Sequence, residues 1–322
     1  MNLYSLTEKV LNGTQINKPE AEYLYNQPLD ELCKNANKIR KHFCSNNFDI
    51  CTIINGKSGR CSENCKFCAQ SAHNHTGVEE YPLLSAEQIL KQAKINHEQG
   101  VLRYSIVTSG RSLSDCEIDE MCGVIKRIIN EVGISVCVSF GLLNKKQFEK
   151  LKQAGVTRVH NNLETSRNNF PNICTTHTFD DKVNAIRAAQ EAGLEVCSGG
   201  IMGLGESILD RIDMAFTLRD LGIKSIPVNM LNPISGTPFG KNKRLSNDDM
   251  RRIIAVYRFI LPDAFIRLAG GRGLLDDKGK GCFISGANAA ISGDMLTTAG
   301  ITTKTDMQLL NKLGYEVKIS DE

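Results

Sequence analysis

The chain has 322 residues, a formal charge of +3 and interleaved acids and bases, so it lacks the charge surplus that nucleic-acid or membrane-surface partners require. Its opening, MNLYSLTEKV, is polar and without the charged-then-apolar order of a secretory leader, and its best apolar run, Ile253 to Leu261, is interrupted by Arg258. A cytoplasmic, membrane-free setting is expected, with the twelve cysteines serving as thiols or metal ligands rather than disulfides.

Residues 1–45 read as an N-terminal helical extension, most clearly where Asp30 to Phe43 mixes charge with apolar spacing. From residue 46 to 322 short β-branched runs alternate with helical patterns. The strand Phe48–Asn55 leads through a cysteine-bearing loop to the helix Ser85–Gln99, where Ser85 and Gln88 form a capping box. Then come the strand Tyr104–Thr108, the helix Glu117–Glu131, the strand Ile134–Phe140 and the helix Lys145–Ala154, stopped by Gly155. Strand Thr157–Asn162 and helix Asp180–Ala192 follow, then strand Glu195–Ile201 and helix Ile208–Leu221, with Gly193 and Gly222 at the helix ends. Strand Ser225–Leu231, helix Asn247–Leu261 and strands Phe265–Ala269 and Ala287–Ile291 complete the series. Strands alternating with helices predict a parallel α/β sheet, and eight of them suggest closure into a (β/α)8 TIM-type barrel. The last unit is the weakest, so an open doubly wound sheet is the alternative.

The strands carry polar residues in phase. Ser105 with Ser109, Cys137 with Ser139, and His160 with Asn162 and Glu164 each share one face of a strand, because strand side chains alternate with period two. Cys197, Asn229 and Arg267 add to the set. Inside a barrel that face would form a polar cavity.

Cys61-Ser-Glu-Asn-Cys65-Lys-Phe-Cys68 directly follows the first strand. Three thiolates spaced by four and three residues can converge on one cluster, and three ligands on a four-iron cube leave one iron open. Zinc is the competing metal; its structural sites are closed by a fourth ligand, for which His73 and His75 are near enough in sequence.

With an aromatic before its last cysteine, this CxxxCxxC is similar to the signature of the radical S-adenosylmethionine superfamily. Within it the chain resembles the biotin synthase family over nearly its whole length, through CSENCKFCAQS (61–71), HNNLETS (160–166), CSGGIMGLGE (197–206), PVNMLNPISGTP (227–238), IRLAGGR (266–272) and GANAAISGDMLTTAG (286–300). The resemblance implies a 4Fe–4S cluster on Cys61, Cys65 and Cys68, with S-adenosylmethionine chelating the open iron. It further implies that reductive cleavage of the cofactor starts radical sulfur insertion into dethiobiotin, the sulfur coming from a second, 2Fe–2S cluster. Phe67, Asn162, Glu164 and the Gly203–Gly205 turn match cofactor-binding positions, and Asn162 and Asn229 match substrate-binding ones. A flavodoxin- or ferredoxin-like reductant and a homodimer are the implied partners.

The chain departs from the family at the second cluster. Cys137, Cys197 and Arg267 match three of its usual ligands, but Ser105 stands where a third cysteine belongs. Serine is a harder, weaker ligand. Cys174, beyond the fourth strand, is read as the replacement thiolate, with a buried apolar role as the alternative. Cys33, Cys44, Cys51, Cys116 and Cys122 show no ligand spacing and read as core or surface thiols, and Cys282 as structural. Two other functions stay open: another radical enzyme of the hydrogenase-maturase group, and a non-catalytic iron–sulfur scaffold or carrier.

Overall fold

The computed structural model describes residues 2–318. Its strands are β1 Asn47–Lys57, β2 Arg103–Thr108, β3 Ser135–Ser139, β4 Arg158–His160, β5 Glu195–Cys197, β6 Gly200–Met202, β7 Ser225–Met230, β8 Phe265–Leu268, β9 Ala289–Ser292 and β10 Glu316–Val317. Neighbours follow chain order from β1 to β5 and then β7 to β9, and β9 pairs back onto β1 with Asp49 opposite Ala289. The sheet therefore closes, and the expected (β/α)8 barrel is what forms. The run read as one strand over Glu195–Ile201 is two, since β5 and β6 both pair β7 on either side of Ser198 and Gly199. Strand β10 extends the sheet outside the ring, parallel to the start of β1.

Close backbone approach explains that break. A Cβ on Gly199 would stand 1.9 Å from the Pro227 carbonyl oxygen, and one on Gly200 would stand 2.5 Å from the Glu164 carbonyl oxygen. Neither neighbour is a side chain able to swing away. Gly199→Ala is expected to destabilise the fold by about 3 kcal/mol, at the upper end of overpacking costs. A urea midpoint unchanged from wild type would refute this.

The barrel helices are written locally. Helices α4 Ala86–Glu98, α5 Asp115–Glu131, α6 Lys145–Gln153, α8 Phe179–Glu191, α9 Ile208–Asp220 and α10 Asn247–Ile260 each open on a capping box. Their caps are Ser85, Ser114, Asn144, Thr178, Ser207 and Ser246, each answered three residues later by Gln, Glu or Asp. Short helices α7 Phe170–Ile173 and α11 Lys280–Phe283 fill connections, and α12 Thr303–Lys312 supplies the helix after β9. The extension is α1 Leu3–Leu11, α2 Lys18–Tyr25 and α3 Leu29–Cys44. Helices α2 and α3 pack on α10, and Leu24, Leu32, Ala36 and Ile39 are fully buried there. Arg258, which interrupts the apolar run of α10, is also fully buried: it donates to the carbonyls of Gly286, Pro262 and Ala264 and to Asn288 Oδ1. No helix among the described residues is long and apolar enough to cross a membrane.

Candidate active site

Inward-facing strand residues enclose a cavity of about 400 Å³ that opens at the strands' C-terminal ends. The polar phase noted in the sequence lines it: Ser105, Ser109, Cys137, Ser139, His160 and Asn162 do, as do Glu164, Cys197, Asn229 and Arg267. Its floor is charged. Asp49, at the start of β1, faces Arg103 at 3.5 Å, Arg158 at 3.4 Å and Arg267 at 3.2 Å, all with nearly inaccessible side chains. Burial pushes the Asp49 carboxyl up, but the three guanidinium groups outweigh it and hold the pKa at about 2.

Above this floor three thiols share the cavity: Cys51 of β1, Cys137 of β3 and Cys197 of β5. Arg267 Nη1 donates to Cys51 Sγ at 3.2 Å, while its Nε has no hydrogen-bond partner. Burial lifts Cys51 to about 11 and Cys137 to about 12. Cys197 is also raised by burial, but a hydrogen bond with His160 and the charges of His160, Arg267 and Arg158 bring it down to about 7. Ser105 is in the cavity too, beside Cys137 in the β2–β3 register.

Two readings from the sequence need correction here. The structure does not bring Cys174 to Cys137 and Cys197. Cys174 is absent from the cavity lining and lies with Cys65 and His177, because the segment 170–178 folds against the cysteine loop instead of over the barrel axis. Cys51, read as a core or surface thiol, faces the cavity. Asp49, Cys51, Ile53 and Asn55 alternate inward along β1, and that period was visible in the sequence.

The cysteine loop turns back on itself through Gln70 O accepting from Cys61 N at 3.0 Å, Cys61 O accepting from Ala72 N at 2.8 Å and Cys65 O accepting from Cys68 N at 3.1 Å. Asn74 Nδ2 donates to the carbonyls of Cys65 and Cys68, tying the loop from outside. Cys61, Phe67 and Cys68 line the cavity, whereas the Cys65 thiol lies with Cys174 and His177. His73 Nε2 pairs with the Ser62 carbonyl, and neither His73 nor His75 joins a metal-ligating group among the described residues.

Asn162 Oδ1 accepts from Gly199 N at 3.1 Å and its Nδ2 donates to Glu164 at 3.3 Å. Glu164 holds a left-handed backbone, φ +69°, unusual for a side chain larger than Asn and costing roughly 1–2 kcal/mol. Its N–H donates to Gly199 O and its carbonyl accepts from Ile201 N, so Gly199 and β6 clamp it there. Burial raises its carboxyl pKa against the pull of Lys182 and His160. Asn229 is engaged at both ends, donating to Gly200 O at 3.0 Å and accepting from Gly270 N at 2.8 Å. One amide hydrogen and one lone pair remain for a ligand. Gly203 and Gly205 take φ of +100° and +96° in the turn after β6 but do not line the cavity. Lys182, on α8, was not singled out in the sequence; it reaches the cavity with Nζ 3.3 Å from Asn161 Oδ1.

Residues 55–218 match the Radical SAM superfamily, and residues 227–316 match the biotin and thiamin synthesis associated domain. The chain is 60% identical over all its 322 residues to the biotin synthase of Brachyspira hyodysenteriae, covering 97% of that protein. It belongs to the biotin synthase family. The Akkermansia muciniphila biotin synthase is 58% identical over 98% of each chain. Two solved structures share the fold at low identity: a methylornithine synthase (TM-score 0.84, 21% identical, covering 98% of this chain and 97% of that one) and an FeFe-hydrogenase maturase (TM-score 0.83, 22% identical, covering 97% and 74%).

As a radical enzyme of the biotin synthase family, the chain uses a 4Fe–4S cluster and S-adenosylmethionine. Its donor sets suit sulfide-bridged clusters better than single ions. Among the described residues, neither the Cys61 loop nor the Cys51 set has three ligand atoms within 4.8 Å of one another, a span already wider than the roughly 3.5–3.8 Å at which one tetrahedral ion sets its ligands. The unpartnered Arg267 Nε beside three thiols is likewise what a buried acceptor would satisfy.

Proposed function

We propose that the chain catalyses sulfur insertion into dethiobiotin, with Cys61, Cys65 and Cys68 holding the 4Fe–4S cluster. Cys51, Cys137, Cys197 and Arg267 hold the second, sulfur-supplying iron–sulfur cluster. The observation that carries this reading is that Cys61 and Cys68 of the first set and all three thiols of the second line one barrel cavity, so a substrate between them reaches both. When bound, the first cluster and its cofactor supply one-electron cleavage of a sulfonium to a carbon radical.

The chain's own residues bind and orient. Glu164 takes the ribose hydroxyls and Asn162 the cofactor or substrate; both residues are tied to the backbone at Gly199, and Glu164 also to Ile201 of β6. Phe67 offers the adenine an apolar face. Lys182 supplies a cation for an amino-acid carboxylate, and the free proton and lone pair of Asn229 suit a ureido group. Barrel walls exclude water, which keeps a primary radical from stray reactions. A homodimer and a small flavin or iron–sulfur reductant complete the reading.

Anaerobically reconstituted, reduced protein given S-adenosylmethionine and dethiobiotin should release 5′-deoxyadenosine and biotin. Failure to form 5′-deoxyadenosine would point to a non-catalytic scaffold; its formation without biotin would point to another radical reaction. Lys182→Met is expected to raise the dissociation constant for S-adenosylmethionine about tenfold, the loss of one charge-assisted hydrogen bond. Equilibrium binding unchanged from wild type would remove Lys182 from the cofactor's contacts.

A further inference from the structure

Outside the cavity the structure assembles a second kind of donor set. Cys65, Cys174 and His177 place three ligand atoms within 4.8 Å of one another, and Cys174 Sγ is 3.3 Å from His177 Nδ1. Cys174 and His177 are buried. A tetrahedral ion about 2.3 Å from sulfur and about 2.0 Å from nitrogen sets its ligands roughly 3.5–3.8 Å apart, so this trio needs only a small side-chain adjustment. Glu63 Oε2 lies 2.5 Å from the same His177 nitrogen and becomes the fourth donor once an ion displaces the proton the two share. Asn64 Oδ1 accepts from the N–H groups of Thr175 and Thr176 and so fastens the Cys174 segment to the Cys65 loop. A separate pocket, lined in part by Arg167, Phe170 and Thr178, borders Cys174 and His177 on the side away from the barrel cavity.

We propose that Cys65, Cys174 and His177, closed by Glu63, form a mononuclear site for a borderline-soft divalent ion, ferrous iron or zinc, in the cluster-free chain. Two thiolates, an imidazole and a carboxylate are a set such ions favour over calcium or magnesium. The ion site stands without the cluster reading. Its consequence rests on that reading: Cys65 cannot serve both, so ion and 4Fe–4S cluster exclude each other, and a tightly held zinc ion blocks cluster loading.

The test uses the full chain, cluster-free, reduced and anaerobic, with Co²⁺ as probe. Cys61→Ser with Cys68→Ser removes the other loop thiols. This double variant should bind one Co²⁺ per chain with thiolate-to-cobalt charge-transfer absorption and tetrahedral visible bands. Adding Cys174→Val, which keeps an apolar side chain in that buried position, or His177→Ala, should weaken binding at least tenfold, with circular dichroism verifying the fold. If the Cys174 variant bound Co²⁺ like its parent, or the double variant gave no charge-transfer band, the ion site would be overturned. In the wild-type chain, one equivalent of Zn²⁺ added before reconstitution should slow iron uptake by the cysteine loop at least fivefold, and Cys174→Val should abolish that delay. Equal rates with and without zinc would overturn the exclusion while leaving sulfur insertion untouched.

Discussion

Cys51→Ala is expected to strip the second cluster: iron and sulfide beyond the four of each per chain held by the cysteine loop should fall to near zero after anaerobic reconstitution. Ser105→Ala and Cys174→Ala should keep most of that excess. The contrast follows from placement. Cys51 sits against Arg267 in the same cavity as Cys137 and Cys197, whereas Cys174 faces the other side of the cysteine loop. Ser105 stands beside Cys137 across the β2–β3 register, so its loss should change the cluster's potential more than its occupancy. Biotin formation should vanish in Cys51→Ala while cleavage of S-adenosylmethionine continues, since the loop thiols are intact. If Cys51→Ala retained the full iron content, the proposed ligand set would be wrong.

Asp49→Ala is expected to cost about 3–5 kcal/mol, the range for removing one partner of a buried ion pair. The deletion leaves Arg103, Arg158 and Arg267 facing one another, with Glu195 pairing only Arg158. The pH dependence has a definite sign. Asp49 is depressed in the folded chain to about 2, so its contribution is complete above the unfolded value near 3.8 and is lost as pH falls from there through about 2. That window is worth about 2 kcal/mol at roughly 1.4 kcal/mol per unit. Asp49→Asn should flatten this part of the acid-unfolding curve. Denaturant melts of the two proteins at pH 5 and pH 2.5 check it: an equal loss in both would mean that Asp49 is not the group responsible.

The alternation of strand and helix was legible because its signals are local. Capping residues such as Ser114 with Glu117 and Thr178 with Asp181 mark helix starts within four residues of sequence, and period two marks the inward face of each strand. The position of Cys51 was legible in the same way, yet its chemistry was not. A solitary cysteine has no ligand spacing, and its partners arrive only when β9 closes onto β1 and β8 carries Arg267 beneath it. Cys174 was misplaced for the opposite reason: segment 170–178 has no periodicity from which to derive a direction, and Asn64, a residue 110 positions earlier, decides where it lies. Lys182 was not legible, since nothing in the sequence of α8 says that its first turn overlooks the cavity.

Strand β1 carries Cys51 in its middle and runs straight into the loop that begins at Cys61, so both proposed clusters hang from one continuous rod of backbone. Parallel neighbours grip that rod on either side, β2 from Cys51 to Lys57 and β9 from Asp49 to Thr52. The gap a substrate must bridge is therefore gauged in residues. Deleting one residue between Cys51 and Asn55 would shorten it by about 3.3 Å and swing every later side chain to the opposite face.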